Sequence, residues 1–346
     1  MKLYDLLKHH PGFFSQRIRH VKNIWHPERF HGHRGKKQFF EGWYFKIISA
    51  DEQHKWAIIP GVSLTQNHRN DHAFIQLMNG VTGQTYYARY PLEDVRFAID
   101  RFFIHIGENT FTPDYIHLAV NDEIEIRGEL SFSGRTPWPS SLISPGIMGP
   151  YSFIPTMECN HGILSMNHSL SGQLNINGDI VNFSDGKGYN EKDWGVSFPQ
   201  AWIWMQSNHF QEVQSSLTAS SAIIPWRRSS FTGYIAGLYL KGKVYPFTTY
   251  NGTRLETKII DESTVWMTYR NKTFTLELHT HRTEGGALVS PALGAMEGRI
   301  RETMKSKIET TLIDNKTGKK LFHDEGLHAG LEVVGDMELL RRRVSK

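Results

Sequence analysis

Turn signals recur along the chain at intervals of about eight to twelve residues, and this spacing limits how the chain can fold. The stretches between the turns are short, aromatic and β-branched, which is typical of strands. Residues 124–130 and 274–278 alternate apolar and polar side chains with the period of a half-buried strand. Asn177 and Gly178 tolerate the positive φ of a tight turn and predict a hairpin. These patterns predict an all-β protein.

The length of 346 residues favours two domains over one. Two aromatic stretches, Phe39–Lys46 and Phe198–Gln206, each lie near the beginning of a half of the chain. We therefore predict β-barrels or sandwiches at residues 38–185 and 186–346, preceded by a basic N-terminal extension at 1–37. The clearest helical candidates are residues 2–9 and 292–305.

Composition and charge exclude several classes of protein. The single cysteine, Cys159, excludes an internal disulfide framework and a cysteine-rich zinc site. No apolar run approaches the about 18 residues of a membrane span, so a cytoplasmic protein is expected. Residues 1–37 hold nine Lys and Arg against Asp5 and Glu28, a balance of +7. Such an arm suits peripheral contact with an anionic membrane, although a solvated extension is the alternative; no nucleic acid partner is expected.

The densest chemistry lies between Tyr189 and Phe210, where six of 22 residues are aromatic. A strand through this region sends alternate side chains to one face. That face carries two indoles followed by amides, from Trp202, Trp204, Gln206 and Asn208. Aromatic walls with a few polar groups suit a pocket for a hydrophobic ligand with a polar head. The alternative is a tryptophan-rich core.

Six segments resemble the tocopherol cyclase family, and they recur in order over nearly the whole chain. These segments are Phe39–Lys46, Ser144–Tyr151, Pro155–Gly162, Gly188–Pro199, Trp202–Asn208 and Gly326–Glu332. The resemblance implies two lipocalin-like β-domains packed together, related to carotenoid hydratase and AttH-like proteins. It also implies cyclisation of a prenylated hydroquinone or related isoprenoid, in which a protonated alkene is captured by a phenol oxygen without a cofactor. Two alternatives stay open, a non-catalytic carrier of a hydrophobic isoprenoid and an isoprenoid alkene hydratase.

The candidate acids are carboxyl groups within these segments. Glu191 and Asp193 are two residues apart, so on a strand they share a face and perturb each other's proton affinity. Glu158 is the third candidate. The expected substrate-binding residues combine aromatic rings, amides and one carboxylate: Trp43, Tyr189, Trp194, Trp202, Trp204, Gln206, Asn208 and Glu41.

Paired histidines raise a metal alternative. His279 and His281 are two apart on a predicted strand, and His31 and His33 repeat that spacing. His161 and His168 flank another strand. No third ligand sits at a fixed local offset from any pair, so no metal is expected.

Overall fold

A computed structural model describes residues 3–6, 13–33, 35–226, 229–259 and 264–344. Strands dominate these residues, and all the strand pairs described are antiparallel, as in the pairing of β11 (Cys159–Ile176) with β13 (Lys187–Gly195). The all-β prediction is confirmed. The pairing among the described strands gives two open sheets, and neither is closed into a barrel by a pair between its end strands. Within the same residues, no helix has the length and apolar character required to cross a membrane.

The first compact unit comprises residues Met1–Asn79, Gln84–Phe198 and Leu288–Arg299. Its strands are β1 (Tyr4–Asp5), β2 (Phe39–Ile48), β3 (Lys55–Leu64), β4 (His72–Asn79), β5 (Thr85–Tyr90), β6 (Val95–Phe97), β7 (Ile104–Ile106), β8 (Asn109–Phe111), β9 (Tyr115–Asn121), β10 (Glu125–Ser133), β11, β12 (Asp179–Asn182) and β13. They form one sheet in the order β1-β6-β7-β8-β9-β10-β11-β13-β2-β3-β4-β5, with β12 paired to β11. Strand β13 therefore lies in the interior of the sheet, between β11 and β2.

The second unit comprises residues Gly80–Gly83, Pro199–Ala287 and Ile300–Lys346. The remaining strands of the chain are β14 (Trp202–Ser207), β15 (Ser215–Trp226), β16 (Ser229–Leu240), β17 (Lys243–Thr248), β18 (Arg254–Ile259), β19 (Thr264–Arg270), β20 (Phe274–His281), β21 (Gly286–Ala292), β22 (Ala295–Asp314) and β23 (Lys320–Val334). Their sheet runs β17-β16-β15-β14-β23-β22-β20-β19-β18, with β21 paired to β22. Each unit has its own apolar core of buried side chains.

The division into units differs from the boundary predicted near residue 185. The first unit runs on to Phe198, because β13 is paired along its length with β11 and β2. Residues 288–299 also belong to this unit, where the Gln76 side chain accepts a hydrogen bond from the Val289 N–H at 2.7 Å. Residues of the expected N-terminal extension contribute to the core, since Phe30 is fully buried.

The helix predicted at residues 292–305 was wrong, and the one predicted at 2–9 was wrong over residues 3–6; residues 2 and 7–9 lie outside the described ones. Of residues 2–9, the described ones are 3–6, and they contain strand β1; residues 292–305 lie largely in β21 and β22. The helices are instead α1 (Phe13–Asn23) and α2 (Met337–Val344). Strand pairing overrode local helix propensity in β22, where buried and exposed residues alternate from Lys305 to Thr310. The predicted hairpin at Asn177-Gly178 is confirmed, with both φ angles positive between β11 and β12.

Candidate functional site

Strand β13 carries ionisable side chains on both of its faces. Alternation along the strand places Tyr189, Glu191 and Asp193 on one face and Asn190, Lys192 and Trp194 on the other. Most of these residues are buried, because β13 is an interior strand of the sheet. Buried ionisable groups need partners, so each face must contain its own set of them.

On the first face, three β13 side chains meet a histidine from β11. His161 lies directly opposite Asp193 in the strand register. Its Nδ1 is 2.8 Å from Asp193 Oδ1, and its Nε2 is 3.7 Å from Glu191 Oε2. The Tyr189 hydroxyl donates to Glu191 Oε2 at 2.5 Å. We call these four residues the His161 cluster.

The two carboxylates control the protonation of His161. Burial disfavours the imidazolium, but Asp193 and Glu191 outweigh burial and raise the pKa of His161 to about 9. The ring is therefore protonated at neutral pH, with Nδ1–H donating to Asp193. Its other nitrogen, Nε2, is buried and has no hydrogen-bond partner among the described residues. A buried, unsatisfied N–H on a cation can donate a proton or a hydrogen bond to a bound molecule.

From the sequence, His161 was a candidate only for binding a metal. The structure makes that chemistry geometrically available as well, since ligand atoms of His161, Glu191 and Asp193 all lie within 4.8 Å of one another. A metal ion would have to displace the proton from Nδ1 or use Nε2. The pair His279 and His281 stands with ring centroids 4.9 Å apart and lies outside the three-residue group.

Glu158, the third candidate acid, lies immediately before β11. Its backbone carbonyl accepts a hydrogen bond from the Val196 N–H at 2.7 Å. Burial raises the pKa of its carboxyl group and also that of the neighbouring Cys159 thiol, which makes this thiol a poor nucleophile. Within the described chain, no hydrogen bond or ion pair joins the Glu158 carboxyl group to the His161 cluster.

On the opposite face, Lys192 forms a fully buried ion pair with Glu41, with Nζ 2.5 Å from Oε1. Burial alone would raise the pKa of Glu41, but the Lys192 ammonium lowers it to about 2. Glu41 also accepts the backbone N–H groups of His31 and Gly32 at 2.9–3.0 Å. Lys192 Nζ donates to the carbonyl oxygens of Pro27 and Arg29 and to His31 Nδ1. We call Glu41, Lys192 and His31 the Lys192 cluster.

The Lys192 cluster fastens residues 27–32 to the sheet. Burial, and then the Lys192 charge, lower the pKa of His31 to about 3, so its ring is neutral and can accept from Nζ. Trp194 stacks on that ring with centroids 4.4 Å apart. Trp43 stacks on Phe102 and donates its indole N–H to the Glu28 carbonyl oxygen. Three predicted binding residues, Glu41, Trp43 and Trp194, thus contact other parts of the protein.

A cavity of about 480 Å³ lies within the first unit, lined in part by Asn190. Its apolar wall includes Phe45, Phe102 and Phe132. His168 lines it as well, and burial lowers the pKa of this histidine to about 3, so its ring is neutral. The volume is in the range of small-molecule sites, and the lining combines aromatic rings with charged and polar side chains, among them Glu28, Asp100 and Arg135.

The four residues predicted around Trp202 lie on or just beyond β14 in the second unit. The Trp202 indole N–H donates to Glu332 Oε2 at 2.6 Å. The Trp204 ring occupies the space beside Gly330 that a Cβ atom would fill. Gln206 is fully buried, and Asn208 Oδ1 lies 3.0 Å from His209 Nδ1. The indoles thus contact strand β23, which pairs with β14.

Comparison with solved structures supports the fold. CghA covers 86% of this chain and 89% of its own, with a TM-score of 0.54 and 10% identity. Its complex with Sch210972 gives a TM-score of 0.52. A protein described as AttH from Nitrosomonas europaea covers 87% of this chain and 94% of its own, with a TM-score of 0.50 and 13% identity. The lipocalin-like fold relationship expected from the sequence is confirmed at this level.

Sequence comparison points to one family. The family described as tocopherol cyclase-like matches residues 124–335. A probable chloroplastic tocopherol cyclase of Oryza sativa subsp. japonica is 28% identical over 175 residues, 48% of this chain and 37% of the relative. The chloroplastic tocopherol cyclase of Zea mays is 26% identical over 190 residues, 51% of this chain and 39% of the relative. The chain thus spans about two fifths of the length of these curated relatives.

Proposed function

Because the chain belongs to the tocopherol cyclase-like family, we propose that it is an enzyme that cyclises a prenylated hydroquinone or related isoprenoid by proton transfer. The observation that carries this proposal is the His161 imidazolium, buried between Asp193 and Glu191 with its Nε2 unsatisfied among the described residues. The protein's own residues supply the proton in this proposal, and the reaction needs neither an oxidant nor a reductant.

The proposed reaction begins with proton transfer from His161 Nε2 to the less substituted carbon of a trisubstituted alkene. The alkene π bond breaks, a C–H bond forms, and the positive charge develops on the tertiary carbon. The phenol oxygen attacks that carbon, forming the ring C–O bond. The phenolic proton then returns to His161 directly or through Glu191, whose Oε2 is 3.7 Å from Nε2. Protons balance, and the product is an isomer of the substrate.

The carboxylates serve this step in different ways. Asp193 accepts the hydrogen bond from His161 Nδ1–H at 2.8 Å, so it orients the ring and keeps Nδ1 protonated. The negative charge of Glu191 stabilises a cation that develops nearby. Tyr189 holds the Glu191 carboxylate in position through the hydrogen bond to Oε2. His161 thus takes the place of the candidate acids Glu191, Asp193 and Glu158 as the proposed proton donor, and Asp193 becomes a positioning residue.

The aromatic cavity of the first unit favours a second candidate, carriage of a hydrophobic isoprenoid without reaction. The cavity lies with Asn190, on the face of β13 opposite the His161 cluster. A carrier would use the cavity and have no need of an imidazolium between two carboxylates. Hydration of an alkene, the third alternative, would use the same proton but end with water on the cation.

Incubation with a prenylated hydroquinone in D₂O, followed by mass spectrometry, separates these candidates. Cyclisation predicts a chromanol with one carbon-bound deuterium. A product larger by the elements of water would indicate hydration, and binding without conversion would indicate a carrier; either result contradicts the proposal. The variant His161→Asn should lower turnover by about 10²–10⁴-fold. The exposed His117→Asn, in the same sheet, is the control. Full turnover by a folded His161→Asn protein would exclude His161 as the donor.

A further inference from the structure

The two most exposed large apolar side chains among the described residues are neighbours in one loop. Leu142 and Ile143 are 82% and 80% exposed, in the connection between β10 and β11. Single exposed apolar residues are common on soluble proteins, whereas adjacent ones at a loop tip need a reason. Phe153, in the same connection, is 43% exposed.

Trp25 joins this loop to helix α1. Its indole N–H lies 3.3 Å from the Ser141 carbonyl oxygen and 3.2 Å from that of Leu142. Its ring packs edge-on against Phe153, with centroids 5.6 Å apart. Since α1 ends at Asn23, two residues before Trp25, the end of the helix and the loop tip form one continuous surface.

Helix α1 extends the surface with exposed apolar and basic side chains. Ile18 and Val21 are 57% and 54% exposed and lie three residues apart, hence on one side of the helix. Arg17 and Lys22 are exposed beside them. The opposite side of the helix faces the protein, where Arg19 donates to the Gly32 carbonyl oxygen. An exposed apolar stripe with basic neighbours is typical of helices that lie in a membrane interface.

The exposed charges of α1 are positive, since Arg17 and Lys22 are exposed and the helix contains no acidic residue. The nearby acidic groups are paired with basic ones, as Asp100 is with Arg101 at 3.0 Å and Glu28 is with Arg29 at 3.8 Å. The surface is therefore apolar at its tip and cationic around it, which complements an anionic bilayer better than a neutral protein surface.

The aromatic cavity adjoins the same surface. Trp25, Ser140 and Arg101 line the cavity, and the last two are exposed, so they mark its mouth. A protein docked by Leu142 and Ile143 would present that mouth to the lipid phase. Lipophilic molecules would then reach the cavity without crossing water.

We propose that Leu142, Ile143, Ile18 and Val21, with the exposed Arg17 and Lys22 of α1, form a docking surface for anionic lipid bilayers. This inference goes beyond the proposed reaction, because docking is measured without any substrate. Failure to bind vesicles would leave the cyclisation proposal standing, and failure to turn over substrate would leave docking standing.

Flotation with vesicles tests the surface. The full-length protein is mixed with vesicles of phosphatidylcholine alone or with about 30% phosphatidylserine. We expect binding to the anionic vesicles that weakens as salt rises. Leu142→Ser/Ile143→Ser should lower the partition coefficient by at least about tenfold. Ile180→Ser, which alters another exposed apolar side chain of the same unit, should leave it unchanged.

Charge is tested separately with Arg17→Gln/Lys22→Gln, expected to lower binding to the anionic vesicles. Its control is Lys316→Gln/Lys319→Gln, which removes the same charge from an exposed turn elsewhere. Circular dichroism of each variant verifies folding. The proposal is overturned if the wild-type protein floats with neither vesicle, if the Leu142/Ile143 variant binds like wild type, or if the surface instead mediates a dimer that does not bind lipid.

Discussion

The two faces of strand β13 hold the same kinds of ionisable group but differ in how their hydrogen bonds are used. In the Lys192 cluster, the ammonium donates to three partners and also pairs with Glu41, which accepts two backbone N–H groups as well. In the His161 cluster, the largely buried imidazolium keeps one N–H, at Nε2, without a hydrogen-bond partner among the described residues. A cluster whose hydrogen bonds are satisfied within the protein stabilises the fold, whereas one that retains a donor can serve a bound molecule.

The largest effect on stability is expected from removing the ion pair of the Lys192 cluster. Lys192→Met leaves the Glu41 carboxylate buried without its cation, and such a loss destabilises a protein by about 3–5 kcal/mol. Urea unfolding measures the change in the free energy of unfolding. The double variant Lys192→Met/Glu41→Gln removes both charges and should recover part of the loss. Equal stability of Lys192→Met and wild type would mean that the ion pair does not support the fold.

Substitutions in the His161 cluster should affect turnover more than stability. Asp193→Asn keeps the size of the side chain but removes the charge that holds the His161 proton. We expect a folded protein whose turnover falls by about 10²–10⁴-fold, comparable with the loss of a general acid. Glu158→Gln is the matched control, because its carboxyl group lies outside the cluster. A folded Asp193→Asn enzyme with wild-type turnover would remove Asp193 from the mechanism.

The sequence could predict contacts between residues close together along the chain, but not contacts between residues far apart. The period of two on β13 placed Glu191 and Asp193 on one face, which is how the structure has them. The residues that contact these side chains from other strands could not be predicted. His161 precedes Asp193 by 32 residues and meets it only through the register of β11 with β13. Lys192 meets residues 27–31 across more than 160 positions. Nonlocal pairing decides such contacts, and local pattern does not encode it.

The titration of His161 should make the contribution of its cluster to stability depend on pH. Its pKa is raised from 6.5 to about 9, so it contributes stability that is fully present below about pH 6.5 and is lost as pH rises through about 9. Lys192 has a lowered pKa of about 8 and acts in the opposite direction, so the total curve mixes the two. We therefore compare wild type with His161→Asn at each pH. The stability advantage of wild type should shrink by on the order of 3 kcal/mol between pH 6 and pH 10. Turnover should fall over the upper part of the same range, and a constant difference would contradict a protonated His161.

The smallest effect is expected from Tyr189→Phe, which tests positioning within the His161 cluster. The substitution removes the hydroxyl that donates to Glu191 Oε2 at 2.5 Å and leaves the ring in place. Hydrogen bonds to charged groups contribute about 1.5–3 kcal/mol, which sets the expected loss of stability. Without that donor, more negative charge remains on the Glu191 carboxylate oxygens. The carboxylate then stabilises the His161 imidazolium more strongly. The pH at which turnover falls on the alkaline side should therefore be higher in Tyr189→Phe than in wild type. In Asp193→Asn, any residual activity should fall at a lower pH than in wild type. Shifts in the same direction, or no shift in either variant, would mean that the carboxylates do not set the proton affinity of His161.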